Sequence, residues 1–210
     1  MGRAEFVEGP PNAAALRLVE GWRGWPGGRL ALVGPEGAGK THLAHVFAGE
    51  TGATILAAAA LAETDAPALL AAGACVVEDA DRLSDAPDPA AAETALFHLM
   101  NFAAAEGAAL LLTGRDAPAR WPCALPDLRS RLAAAPLARL DPPDDALLEA
   151  VIAKQLADRR LAFQDGLPAY LARRIERSFA AGAAVVAALD AASLAEKRAI
   201  TVKLAGELLG

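Results

Sequence analysis

One short motif constrains the fold of this chain more than any other part of the sequence. The apolar run Leu30–Val33 ends at Gly34, and five residues later Gly39, Lys40 and Thr41 begin a helical pattern. This is the G-x-x-x-x-G-K-S/T spacing, placed between a strand and a helix. Glycines let backbone N–H groups turn inward around a phosphate, and the helix dipole adds positive charge there. The motif therefore predicts a loop that binds a nucleoside diphosphate or triphosphate.

The predicted phosphate loop has eight residues, and two of them have side chains that would contact the nucleotide or its metal ion. They are Gly34, Pro35, Glu36, Gly37, Ala38, Gly39, Lys40 and Thr41. Lys40 would contact the β- and γ-phosphates, and the Thr41 hydroxyl would bind Mg²⁺. The pattern places the chain among the P-loop NTPases and leaves open whether it hydrolyses the nucleotide itself.

Composition and charge narrow the class of protein further. Alanine is the commonest residue, which favours a helix-rich α/β fold with closely packed helices. Neither a membrane-spanning apolar run nor a secretory leader is visible, so we expect a cytoplasmic protein without membrane attachment. Residues 1–143 carry 11 Lys and Arg against 17 Asp and Glu, and residues 144–210 carry nine of each. This balance argues against strong DNA binding by the chain alone.

Two further buried strands are predicted to end in polar residues. One ends in Glu78 and Asp79, and the other ends in Thr113 and Arg115. In P-loop proteins a strand beside the loop supplies a carboxylate to the Mg²⁺ shell, so Glu78 and Asp79 are candidates. Thr113 and Arg115 would lie near the γ-phosphate if their strand lies between the other two. A strand that simply runs into an acidic turn is the alternative.

The breaker Asp141-Pro142-Pro143 divides the chain into two predicted domains. Residues 1–142 would form the α/β nucleotide-binding domain, and residues 143–210 would form a small lid of helices. The four predicted lid helices are Asp144–Arg160, Leu167–Phe179, Gly182–Leu194 and Thr201–Leu209.

The order of these motifs resembles the AAA+ module of the bacterial replication initiator DnaA, and even more that of its short regulatory relative Hda. The stretches that carry the resemblance are Phe6-Val7, Asn12, Gly34–Thr41, Val76–Asp79, Leu111–Thr113, Leu128–Leu132 and Ala199–Val202. They cover nearly the whole chain. The resemblance implies a five-stranded parallel sheet sandwiched by helices, followed by a four-helix lid, with ATP or ADP and Mg²⁺ as ligands.

The resemblance also implies roles for single residues. Glu78 falls where the family has its Mg²⁺-associated acid, and Asp79 falls at the following acidic position. Thr113 falls at the end of the sensor strand, and Arg131 matches the arginine finger that reaches a neighbouring molecule's nucleotide. The residues that match the segment beside the adenine are Phe6, Val7 and Asn12.

The sequence differs from the family pattern in three ways that affect the expected function. The C-terminal helix-turn-helix DNA-binding domain of DnaA has no counterpart here, which favours the regulator over the initiator. The stretch Met1–Glu8 lacks the Gln-Leu peptide with which Hda-like proteins dock on the sliding clamp, so clamp binding stays open. The lid stretch Phe179–Leu189 lacks the usual nucleotide-sensing arginine, which weakens the case for efficient self-catalysed hydrolysis.

The leading interpretation is a DnaA/Hda-like regulator of chromosomal replication initiation. It would pair with DnaA and promote hydrolysis of DnaA-bound ATP through Arg131. One alternative is a homo-oligomeric ATPase or loader that acts in replication or transposition, and a homodimer is left open. Another is an ADP-locked adaptor without catalysis. A small P-loop kinase is disfavoured by the helical C-terminal block.

Overall fold

The structure is a computed structural model that describes residues 2–210, so Met1, the first residue of the predicted nucleotide-binding domain, lies outside the described residues. Contacts divide the chain into two compact units. The larger contains the segment up to Phe6 together with Asn12–Pro35 and Gly39–Leu140. The smaller contains Val7–Pro11, Glu36–Ala38 and Asp141–Gly210. The predicted domains, 1–142 and 143–210, follow the sequence alone and stay a prediction.

The larger unit is built on one parallel sheet of five strands. The strands are β1 (Arg29–Val33), β2 (Thr54–Ala57), β3 (Ala74–Glu78), β4 (Ala109–Gly114) and β5 (Leu137–Arg139). Their order across the sheet is β2-β3-β4-β1-β5. The three central strands are apolar and buried, as parallel strands covered on both faces must be. The predicted five-stranded parallel sheet is confirmed, and β4 lies between β3 and β1.

Among residues 2–210, five α-helices belong to the same unit. They are α1 (Ala13–Glu20), α2 (Lys40–Thr51), α3 (Ala66–Leu69), α4 (Pro89–Glu106) and α5 (Pro126–Ala133). The longest, α4, begins after Asp88, whose side chain accepts a hydrogen bond from the Ala91 amide. It ends at Gly107, whose left-handed backbone stops the helix. Among the helices of residues 2–210, none combines membrane-spanning length with sufficient apolar character.

Alternate residues of the central strands point into one hydrophobic core. Ala31, Val33, Cys75, Val77 and Leu110 share this cluster with apolar residues of α4 and α5. Burial raises the pKa of the Cys75 thiol to about 12, so the thiol stays protonated and unreactive at neutral pH. Cys75 therefore acts as a small buried apolar residue of β3.

The smaller unit contains four α-helices within the described residues. They are α6 (Asp145–Asp158), α7 (Leu167–Ala172), α8 (Phe179–Glu196) and α9 (Val202–Leu209), and they enclose their own apolar cluster. The predicted helix Leu167–Phe179 is wrong at its end, because α7 stops at Ala172 and Phe179 begins α8. Phe179 begins a new helix because the hydroxyl oxygen of Ser178 accepts a hydrogen bond from the Ala181 amide and so caps α8.

Candidate functional site

The phosphate loop between β1 and α2 turns through two glycines with left-handed backbone angles. The angle φ is +74° at Gly37 and +94° at Gly39, a region that other residues rarely adopt. Gly39 is the N-cap residue of α2, so the first amides of that helix lack helical acceptors. Free amides at a helix N-terminus, reinforced by the helix dipole, form a natural site for a phosphate.

Gly34 is required by close packing. A Cβ atom there would lie 2.4 Å from the Leu140 carbonyl oxygen, so any side chain would force the backbones apart. The Lys40 ammonium donates hydrogen bonds to the carbonyl oxygens of Gly34 at 2.8 Å and Pro35 at 2.9 Å. The lysine is thus folded back over the start of the loop. Its charge, together with the helix amides, fits a phosphate group.

The middle of the phosphate loop makes its contacts within the smaller unit. The Gly37 carbonyl oxygen accepts a hydrogen bond from the Phe179 amide at 2.9 Å, at the first residue of α8. A Cβ atom on Gly37 would lie 2.6 Å from the Cβ atom of Ser178. Glycine is therefore required at position 37 for two reasons, the left-handed backbone angle and the close approach of Ser178.

The acidic end of β3 lies next to the end of the neighbouring parallel strand β4. The register pairs Val77 with Leu112, which places Glu78 opposite Thr113. The Glu78 Oε1 atom is buried and has no hydrogen-bond partner among residues 2–210. An unsatisfied buried carboxylate oxygen is costly, and oxygen is the ligand type that Mg²⁺ prefers. Glu78 therefore fits the shell of a Mg²⁺ ion.

Thr113 holds the backbone at the end of β3. Its side chain is 1% exposed, and its hydroxyl oxygen accepts a hydrogen bond from the Asp79 amide at 3.0 Å. Asp79 has a left-handed φ of +52° and an exposed side chain. The structure thus joins Thr113 to Asp79 through the backbone, and their predicted catalytic roles stay predictions.

Asp81 is an acidic residue that the sequence analysis did not single out. Its Oδ2 atom accepts a hydrogen bond from the Arg115 amide at 3.0 Å, while Oδ1 is buried and has no partner among residues 2–210. Two buried carboxylate oxygens, one each from Glu78 and Asp81, therefore lack a partner near the end of β3. The available signal was the acidic run itself, in which Asp81 follows Glu78 by three residues.

The predicted adenine segment is only partly connected to the phosphate loop. Phe6 is buried, and its ring packs edge to face on His42, which follows Lys40 by two residues, with ring centroids 5.3 Å apart. Asn12 is buried at the N-terminus of α1. Val7 is partly buried and groups with the smaller unit. The role of these residues beside the adenine stays a prediction.

Arg131 lies on α5 and is partly exposed. Its guanidinium carbon lies 5.4 Å from the centre of the Phe97 ring on α4, within the range of a cation–π contact. In the part of the chain that the structure describes, no ion pair joins Arg131 to a carboxylate. The guanidinium therefore packs on the Phe97 ring of α4.

Glu93 of α4 positions the start of α5, and the sequence analysis missed it. Its side chain is 7% exposed, and its carboxylate accepts hydrogen bonds from the amides of Ala124 at 2.9 Å and Leu125 at 2.8 Å. Burial and then this carboxylate raise the pKa of the neighbouring Cys123 thiol. The available signal was a charge on the apolar face of α4, three residues before Leu96.

Replacing Glu93 with alanine should lower the free energy of unfolding by about 2 kcal/mol, because two amides lose a charged acceptor. Glu93→Gln keeps an acceptor oxygen and should cost about 1 kcal/mol. Urea unfolding measures both, and Glu106→Gln at the exposed end of α4 is the control, with less than about 0.5 kcal/mol expected. Equal losses for Glu93→Gln and Glu106→Gln would show that the Glu93 carboxylate does not hold α5.

Comparisons with known proteins agree with this architecture. The family model described as the lid domain of Hda matches residues 144–209, which include α6 to α9. Domain III of the replication initiation protein DnaA from Thermotoga maritima has a similar fold, with a TM-score of 0.79 and 19% identity. That match covers 98% of this chain and 93% of the other. No curated protein matches the sequence significantly.

Two longer proteins share the fold. The AMPPCP-bound structure of DnaA from Aquifex aeolicus matches with a TM-score of 0.69 and 17% identity, over 88% of this chain and 63% of that chain. The Holliday junction branch migration motor RuvB from Thermotoga maritima matches with a TM-score of 0.71 and 18% identity, over 98% of this chain and 70% of that chain. This chain therefore spans under two thirds of the Aquifex DnaA structure.

The sheet order, the phosphate loop and the helical C-terminal region give the chain an AAA+ fold, similar to the folds of DnaA domain III and RuvB. Within that fold class, residues 144–209 match the lid domain of Hda. The chain therefore has a DnaA-like AAA+ fold and a C-terminal region similar to the Hda lid.

Proposed function

We propose that this protein regulates the initiation of chromosomal replication by binding a nucleotide and pairing with the initiator DnaA. The observation that carries the proposal is the match of residues 144–209 to the lid domain of Hda. The similarity to domain III of DnaA supports it, because modules of one fold can associate through equivalent surfaces.

The proposed ligand is ATP or ADP with Mg²⁺. The amides at the start of α2 would contact phosphate oxygens, and the Lys40 ammonium would balance their charge. Thr41, which is exposed, and the partnerless Oε1 of Glu78 would face the Mg²⁺ ion and its waters. The nucleotide supplies a phosphoanhydride bond that can be hydrolysed. Support comes from the relative in Aquifex aeolicus, whose structure is described as AMPPCP-bound.

The proposed regulatory act is made by Arg131 in trans. A guanidinium that is partly exposed and has no ion pair in residues 2–210 can enter the nucleotide site of another molecule. There it would stabilise the charge that develops on the phosphoryl group during hydrolysis. Arginines supplied in this way accelerate phosphoryl transfer by roughly 10³–10⁵-fold. DnaA-bound ATP is the proposed target.

Release of inorganic phosphate from DnaA preloaded with ATP tests the proposal directly. DnaA from the same organism is mixed with increasing amounts of the full chain, and each protein is also measured alone. We expect the chain to accelerate hydrolysis on DnaA on the order of 10³-fold. An unchanged rate at saturating concentration would overturn the proposal. Turnover by the chain alone that rises with its concentration would instead identify a self-assembling ATPase.

A further inference from the structure

A second concave site lies in the larger unit. It is an open groove of about 920 Å³ between the short helix Ala58–Glu63, α3 and the part of α4 that ends at Phe102. We call it the α3–α4 groove. None of its lining residues belongs to the phosphate loop, to the acidic end of β3 or to α5. The groove is therefore separate from the residues to which nucleotide binding and the action of Arg131 are assigned above.

The floor of the α3–α4 groove is apolar. Leu61, Leu69 and Leu99 lie at its base and are themselves buried, so the apolar surface that a ligand can reach comes from the partly buried Phe102 ring and the small side chains of α4. Small side chains on α4, such as Ala91, leave the helix backbone approachable from this side. Such a floor favours apolar side chains of a ligand, because their contact removes hydrocarbon surface from water.

The rim of the α3–α4 groove is acidic. Asp65 and Asp88 line it, and among the lining residues His98 is the other ionisable side chain, with no Lys or Arg. Asp65 is the N-cap residue of α3 yet makes no capping hydrogen bond with its side chain, so its carboxylate is available to a ligand. Asp88 uses Oδ1 to cap α4. A phosphate-bearing ligand would be repelled by these charges, whereas Lys or Arg would be attracted.

We propose that the α3–α4 groove binds a short segment of a partner protein in which apolar side chains are flanked by Lys or Arg. The apolar floor would hold the hydrophobic side chains, and Asp65 and Asp88 would pair with the cations at the rim. The groove volume lies within the range of about 300–1,000 Å³ that is typical of ligand sites. Charge complementarity between rim and segment selects this partner chemistry over nucleic acid.

The probe for this proposal is a random dodecapeptide library displayed on phage and selected against the full chain. We expect the enriched peptides to combine apolar residues with Lys or Arg. Their synthetic forms should bind at least tenfold more weakly to the double variant Asp65→Asn/Asp88→Asn, measured by fluorescence anisotropy. Asparagine caps helices as well as aspartate does, so Asp88→Asn keeps the cap of α4, and Asp65 has no side-chain cap to lose.

A matched pair of substitutions locates the binding site. Thr94 lines the groove and is exposed, and Ala104 is exposed on the same helix without lining it. Thr94→Arg should abolish binding of the selected peptides, and Ala104→Arg should leave it within about twofold of the unmodified chain. Selection of acidic peptides, failure to select any peptide, or equal binding by the Thr94→Arg and Ala104→Arg variants would overturn the proposal.

Discussion

Replacing Arg131 with alanine should return the rate of ATP hydrolysis on DnaA to within about twofold of that of DnaA alone, a loss on the order of 10³-fold. The reason is that alanine removes the only charge that this chain is proposed to bring to the partner's phosphates. Arg131→Lys should recover little, because a lysine ammonium lacks the planar fork that contacts two phosphate oxygens at once. Phosphate release from DnaA–ATP measures both variants.

Arg129 provides the matched control. It lies on α5 two residues before Arg131 and is exposed. Arg129→Ala removes the same charge from the same helix and should keep most of the acceleration. The Arg131→Ala variant also loses the contact with the Phe97 ring, which is worth about 0.5–1 kcal/mol, so its melting temperature is checked alongside. Equal loss of acceleration in the two alanine variants would exclude a specific role for Arg131.

Replacing Lys40 with alanine should weaken nucleotide binding by about 100-fold, because the phosphates lose a charge-assisted hydrogen-bond donor. The Lys40 ammonium lies at the carbonyl oxygens of Gly34 and Pro35, at the entrance of the phosphate loop. Isothermal titration calorimetry with Mg-ATP and with ADP measures the change. The loss should be larger for ATP, since the ammonium is proposed to reach the γ-phosphate as well as the β-phosphate.

Lys154→Ala serves as the control for charge. Lys154 pairs with Asp158 one turn along α6 and lies outside the phosphate loop. Removing it subtracts the same unit of charge and should leave the affinity unchanged within about twofold. Binding of Mg-ATP by the Lys40→Ala variant with the affinity of the unmodified chain would contradict the assignment of the phosphate loop.

The sheet was predictable from the sequence because its strands are short apolar runs bounded by glycine and polar residues. The phosphate motif fixed the place of β1, and the acidic end of β3 indicated a neighbouring strand. The ends of α4 are also visible in the sequence, because Pro89 stands at its first position and Gly107 directly follows its last. The end of α7 was missed, although Ser178 directly before Phe179 is a typical N-cap signal.

The contacts that hold the site residues in place could not be predicted from the sequence. The contact of Glu93 with the amides of Ala124 and Leu125 joins residues more than 30 positions apart, and it exists only once α4 and α5 have packed. The close approach of Gly34 to the Leu140 carbonyl likewise depends on the folded chain. Local patterns identify which residue types a phosphate needs, whereas the partners that orient them come from tertiary packing.

The Gly37 carbonyl oxygen accepts a hydrogen bond from the amide of Phe179, the first residue of α8. Shortening the protein to its α/β portion would therefore change the phosphate loop. A fragment that stops at Leu140 would retain every strand and the whole G-x-x-x-x-G-K-T signature. In that fragment, however, the Gly37 carbonyl oxygen would lose its donor, the Phe179 amide, and Gly37 would no longer lie against Ser178. Nucleotide affinities taken from such a fragment would describe a different loop, so binding experiments need the intact protein.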